Sequence, residues 1–257
     1  MQRTDGSFSG AGGIEIFWQE WAGEETPRAL VVIAHGLCEH GGRYGNLVDW
    51  IVPAGYGVIA PDHRGHGRSG GERALIDDVD AAAADLGTTI DRAKGDHAGA
   101  PVFLLGQGMG GALGIALALR RPLDGLILTA PMLRPPRTSP IDATALSRDQ
   151  AVVRAFEDDP LVHHGPVPEP TVTALSEEVA TFDARAPELT VPLLLMHGYA
   201  DRLADPEVSR AFHREVGSEQ KILVLWAGLF HEIFNEPAED REEPLERLTA
   251  WLDDRAG

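Results

Sequence analysis

The 257-residue chain is 43% hydrophobic and 24% charged, the balance of one globular domain with a sizeable core, which excludes fibrous, collagen-like and disordered classes. Its 22 basic and 40 acidic side chains give a formal net charge of −18, a field that repels nucleic-acid backbones and anionic lipid headgroups, so no nucleic-acid partner is expected. Cys38 is the only cysteine, which leaves no intrachain disulfide framework and no Cys-rich metal site.

The opening MQRTDGSFSGAGG contains no apolar stretch of the secretory kind, and no later run approaches the roughly 20 residues of a membrane helix. A soluble, cytoplasmic protein without stable membrane insertion is expected. Ile14, Ile16 and Trp18 alternate as in an opening strand, and ALVVIA (residues 29–34) is the continuous apolar run of a strand buried on both faces. Tyr44, Leu47, Val48 and Ile51 have helical spacing. Further strands are expected at residues 57–60, 102–105, 126–129, 193–196 and 222–226, with helices between them. The alternation predicts an α/β architecture, a mostly parallel sheet flanked by helices.

Residues 131–188 interrupt this rhythm. MLRPPRTSP (residues 132–140) has too many prolines for a regular element, and the region reads as an insertion over one sheet edge, with short helices within 141–158 and 171–182. The core is then residues 1–130 and 189–257. Near the end, Pro244 suits a first helical turn, followed by the apolar stripe Leu245, Leu248, Trp251 and Leu252. The acidic residues before it, Glu239, Asp240, Glu242 and Glu243, read as a solvated helix start.

Chemistry concentrates in VFLLGQGMGGALGIALALR (residues 102–120), a buried strand, a turn with glycines at 106, 108, 110 and 111, and an Ala/Leu-rich helix. That is the layout of the G-x-S-x-G nucleophile elbow, whose strained central residue projects above the sheet. Here the centre is Gly108.

Five other segments accompany it: HGLCEHGGRY (residues 35–44), PDHRGHGRSGG (61–71), DDPLVHHG (158–165), HGYADRL (197–203) and FHEIFNE (230–236). Together, and in this order, they resemble the monoacylglycerol lipase group of the α/β-hydrolases, with its HGxGEHxxRY loop, its DHRGHGxSxG turn and its G-x-S-M-G-G elbow. The resemblance implies an α/β-hydrolase fold and a carboxylic ester hydrolase that works through a Ser-Asp-His triad and an acyl-enzyme, without metal or cofactor. Carried over by position, the nucleophile falls on Gly108, the acid on Asp201 and the base on His231. The oxyanion hole falls on the backbone N–H groups of Leu37 and Met109, and substrate contacts fall on His35, Gly36, Cys38 and Gln107. Cys38 stands where the family pattern has glycine. The insertion lacks the family's apolar cap helix, so a shortened cap and a small or medium ester substrate are expected. Nothing in the sequence sets an oligomeric state.

Each motif has a plainer reading. Gly108 serves as a packing glycine in a tight turn, or as a replaced serine, by evolution or by experiment, that leaves the chain crippled. Asp205 competes with Asp201 but reads as a helix cap ahead of Pro206. Asp62, His63 and His66 have the compactness of a metal site but read as a hydrogen-bonded turn, and His163 and His164 read as packing of the insertion. Two other functions keep the same pocket: a pseudoenzyme that binds a ligand or partner, and a lyase with His231 as base.

Overall fold

Strands covered on both faces need unbroken apolar runs, and the chain supplies them between polar, glycine-rich turns. The computed structural model describes residues 1–256. Its eight strands are β1 (Gln2–Ser9), β2 (Glu15–Ala22), β3 (Leu30–Ala34), β4 (Gly57–Pro61), β5 (Val102–Gln107), β6 (Leu126–Thr129), β7 (Leu193–Gly198) and β8 (Lys221–Trp226). They form one sheet in the order β1-β2-β4-β3-β5-β6-β7-β8. The first two pairings are antiparallel and the rest parallel.

Side chains alternate across this sheet. Val32, Leu104, Leu128 and Leu195 pack under α2 (Val79–Asp96), α3 (Met109–Ala118), α5 (Glu169–Arg185) and α6 (Pro206–Glu215). Ile33, Leu105, Ile127 and Leu194 face α1 (Gly45–Ile51) and α7 (Ala238–Ala256). Helix α4 (Gln150–Asp158) packs instead within a small cluster of Ala143, Leu146, Val153, Phe156 and Val162. No strand lies between residues 131 and 188 among the described residues, and 132–140 form no helix. Residues 131–188 are nevertheless not separate from the rest, because Leu175, Val179 and Phe182 of α5 belong to the cluster under the sheet. Among the described residues, no helix is long and apolar enough to cross a membrane.

Two elements differ from the sequence expectation. β1 has almost no buried side chain; its backbone ladder to β2, from Gln2 opposite Ala22 to Ser9 opposite Glu15, holds it at the sheet edge. Helix α7 begins at Ala238, and Pro244 lies inside it. Acidic residues fit the positive end of the helix dipole there, so the helix extends one and a half turns upstream of the proline.

Close approach of α3 to the sheet depends on Gly110, where an added Cβ would lie 1.9 Å from the Ala34 carbonyl oxygen. Gly110→Ala is therefore expected to cost about 2–4 kcal/mol by forcing helix and strand apart. A thermal melt checks it, and an unchanged melting temperature would contradict this packing.

Candidate active site

The carboxyl ends of β3, β5, β7 and β8 converge on one cleft, the place where open α/β sheets bind ligands. At the turn from β5 into α3, Gly108 has φ +52° and ψ −115°, angles that L side chains adopt only under strain. Gly106, Gly110 and Gly111 around it are crowded: an added Cβ would meet atoms at 2.5, 1.9 and 2.8 Å. At Gly108 the nearest atom to such a Cβ is Nε2 of His231, at 3.4 Å, an ordinary contact. Crowding demands glycine at the neighbouring positions and does not demand it at 108.

His231 follows β8, and Asp201 lies in the loop between β7 and α6. Nδ1 of His231 is 2.7 Å from Oδ2 of Asp201, and Nε2 of His197 is 2.9 Å from the same oxygen. An ionised carboxylate only accepts, so both rings donate to it. That fixes the neutral His231 tautomer with its Nε2 lone pair toward Gly108. The Ser209 hydroxyl, 2.8 Å from Nδ1 of His197, donates to that ring. Oδ1 of Asp201 accepts from the amides of Leu203 and Ala204 at 2.7 and 3.1 Å. Burial by itself raises the Asp201 carboxyl, but the His231 and His197 rings outweigh it and hold the group well below the usual carboxylate range. Burial likewise lowers the His231 imidazole, and the Asp201 carboxylate, aided by Glu232 and Glu39, reverses this and raises it above 6.5. Asp205 caps α6 through the Glu207 amide at 2.9 Å.

Leu37 and Met109 line the same cavity as His231, and their backbone N–H groups donate to no acceptor among the described residues. The loop carrying Leu37 is held by Glu39, whose Oε1 accepts from the Gly36 amide at 2.5 Å and from the Tyr44 hydroxyl at 2.9 Å. Arg43 then bridges two carboxylates, with Nε on Glu39 at 2.9 Å and a terminal nitrogen on Glu232 at 2.8 and 2.9 Å. The loop bearing Leu37 is thereby tied to the residue next to His231. Gln107 fastens the same region, accepting from the Thr129 hydroxyl and donating to the His231 carbonyl at 3.2 Å. Sequence reading assigned no role to His197, Glu39, Arg43 or Glu232. All four lie inside motif segments, His197 four residues before Asp201, and that placement was the available signal.

A cavity of about 550 Å³ is lined by Gly36, Leu37, Gln107, Gly108, Met109 and His231 together with most of the proline-rich 132–140 segment. Phe156, Leu146, Leu203 and Val208 make part of its lining apolar. His35 and Cys38 do not line it. His35 turns under the loop, where its Nε2 accepts from the His63 amide at 2.9 Å. Cys38 is buried against Ala74 and Val167 at φ +69°, a left-handed conformation that accounts for glycine being suited to this position.

Asp62 accepts from the Gly41 and Arg68 amides, both at 2.8 Å, and no group of three His, Cys, Asp or Glu residues is arranged for a metal ion among the described residues. His163 and His164 contact the Pro166 and Asp159 carbonyls within the insertion. The rings of His35, His63 and His66 lie 4.2 to 6.4 Å apart. Burial pushes all three down, His63 to about 3 and His66 to about 4. Unfolded imidazoles take up protons near 6.5, whereas these stay neutral, so the unfolded state binds more protons across that interval. The melting temperature is expected to fall as pH drops from 6.5 toward 4; a flat profile over this range would contradict the buried cluster.

The model of the family described as serine aminopeptidase, S33, matches residues 25–238. The chain is 37% identical over 273 residues to a monoacylglycerol lipase of Mycolicibacterium smegmatis, covering 97% of each. It is 32% identical over 269 residues to the monoglyceride lipase of Homo sapiens, covering 95% of this chain and 89% of that one. The crystal structure of Paleococcus ferrophilus monoacylglycerol lipase superposes with a TM-score of 0.80 at 29% identity, covering 93% of this chain and 99% of that one.

Proposed function

The chain belongs to the serine aminopeptidase S33 family and is a monoglyceride-lipase-like α/β-hydrolase, and from that premise we propose that its cleft is a carboxylic ester site of monoacylglycerol lipase type whose nucleophile position is occupied by Gly108. The supporting observation is a line of contacts: Asp201 to Nδ1 of His231 at 2.7 Å, and Nε2 onward to the Cβ position of residue 108 at 3.4 Å. A serine hydroxyl attached there has an imidazole to take its proton and a carboxylate to hold that imidazole in the productive tautomer. The Leu37 and Met109 amides are the oxyanion donors. Gly36 and Gln107 shape the floor under the ester.

Of residues 131–188, the part before α5 forms the cap beside the cleft, while α5 packs with the core of residues 1–130 and 189–257. With no helix in 132–140, the apolar wall is short and the substrate is a small or medium ester, monoglycerides of modest chain length included. Without a hydroxyl at 108 the chain binds ester and turns it over slowly. An ester panel of graded acyl length, run on the Gly108→Ser protein with the native chain beside it, tests the reading. Hydrolysis restored with a short or medium optimum supports it. The glycine also favours a second reading, a pseudoenzyme that retains a ligand in this pocket; persistent inactivity of a folded serine variant together with tight ester binding favours that one.

A further inference from the structure

Gly108 puts no side chain between its backbone and Nε2 of His231, and both residues line the cavity. The three nearest neighbours of its Cβ position are Nε2 of His231 at 3.4 Å, the Gly36 Cα at 3.8 Å and Cε1 of His231 at 3.9 Å. The Asp201 contact already fixes the His231 tautomer, and the Leu37 and Met109 amides have no acceptor among the described residues. Base, orienting carboxylate and oxyanion donors are thus in place without any attached hydroxyl. What the geometry lacks for acyl transfer is only an oxygen at hydrogen-bond distance from Nε2, about 2.7–2.9 Å, in a space bordered by a glycine Cα.

We propose that the native chain catalyses acyl transfer by single displacement, binding a small free nucleophile, water or a one-carbon alcohol, beside Gly108 and passing the acyl group to it directly. The inference rests on the reading of 108 as the nucleophile position. The O–H of the bound nucleophile donates to Nε2, and its oxygen attacks the ester carbonyl carbon. The carbonyl π pair moves onto the carbonyl oxygen, which accepts from the Leu37 and Met109 amides, while Nε2 takes the proton. On collapse the bond to the leaving alkoxide breaks with its electron pair, and that oxygen receives the proton from Nε2. Ester and alcohol exchange partners, or ester and water give acid and alcohol. Nothing is oxidised, and no acyl-enzyme forms.

This chemistry differs measurably from that of a serine enzyme. Where acylation of a serine releases the first product, a small alcohol does not enter that step; here it enters the only step. The test follows 4-nitrophenyl butyrate in a methanol series at a pH above the titration of His231, with 1-propanol as a bulkier alcohol of similar nucleophilicity. For the native chain, nitrophenol release is expected to rise with methanol to a plateau about tenfold above the rate in water. Methyl butyrate should appear in proportion, with little effect of 1-propanol and no acylated protein by mass spectrometry.

His231→Ala should abolish the methanol response with the backbone at 108 unchanged. Gly108→Ala should lose most of it, because the methyl takes the room beside Nε2, and a thermal melt confirms that this variant is folded. Release independent of methanol, a linear response that survives in His231→Ala, or an acyl adduct on the native chain would overturn the proposal. Gly108→Ser separates the two levels. If it hydrolyses the ester while the native chain ignores methanol, only this inference falls; if it too is inert, the reading of the site falls with it.

Discussion

Gly108→Ser is expected to raise kcat for a matched ester by about 10⁴- to 10⁶-fold over the native chain, the range that separates an intact nucleophile-base pair from one lacking its nucleophile. On the proposed reading, the groups that would support the hydroxyl are already in position. The imidazole faces residue 108 with its lone pair, and an added Cβ makes no contact shorter than 3.4 Å. The cost falls on the backbone, since a serine at φ +52° and ψ −115° carries roughly 1–3 kcal/mol of strain. The variant should therefore be more active and melt a few degrees lower. Steady-state assays, a nitrophenol burst and a calorimetric melt measure both sides. A folded serine variant that neither shows a burst nor accepts a fluorophosphonate label would refute the placement of the nucleophile.

A loss of comparable kind is expected from Asp201→Asn in the Gly108→Ser background, where kcat should drop on the order of 10⁴-fold. Oδ2 of Asp201 accepts from two imidazoles while Oδ1 accepts from the Leu203 and Ala204 amides, so an asparagine that keeps its carbonyl on those amides turns its NH2 donor toward both rings. His231 then loses the contact that keeps its lone pair on Nε2. The charge matters as well: Asp201 is the chief group raising the His231 imidazole against its burial. Because the base works only when neutral, kcat/KM of the serine variant is expected to be lost as pH falls through a value above 6.5. In the asparagine variant that acid limb should move to lower pH along with the fall in rate. A reduced rate with an unmoved acid limb would mean that Asp201 does not act on His231.

The interior of the sheet was legible because β3, β5, β6 and β7 are buried on both faces and are apolar up to their carboxyl ends, where Gln107, Thr129 and His197 begin the polar site. β1 was not, since an edge strand held by its backbone needs no apolar pattern. The start of α7 was obscured by Pro244, which ordinarily marks a first turn and here sits within the helix. At the site, Gly108, Asp201 and His231 fall in separate motifs whose order along the chain is informative, and the structure brings their positions within contact. His35 occupies a loop that reaches the cleft while its ring turns beneath that loop, a rotation that no spacing rule encodes. The Arg43 bridge to Glu232 spans 189 positions and depends on two loops meeting, so although both residues fall in motif segments, nothing local pairs them.

That bridge also has a dynamic consequence. With one guanidinium fastened to Glu39 on one side and Glu232 on the other, any excursion that lifts the Gly36–Leu37 turn also pulls on the segment bearing the imidazole. Opening and closing of the cleft should then be concerted, with a single exchange rate shared by amides on both loops.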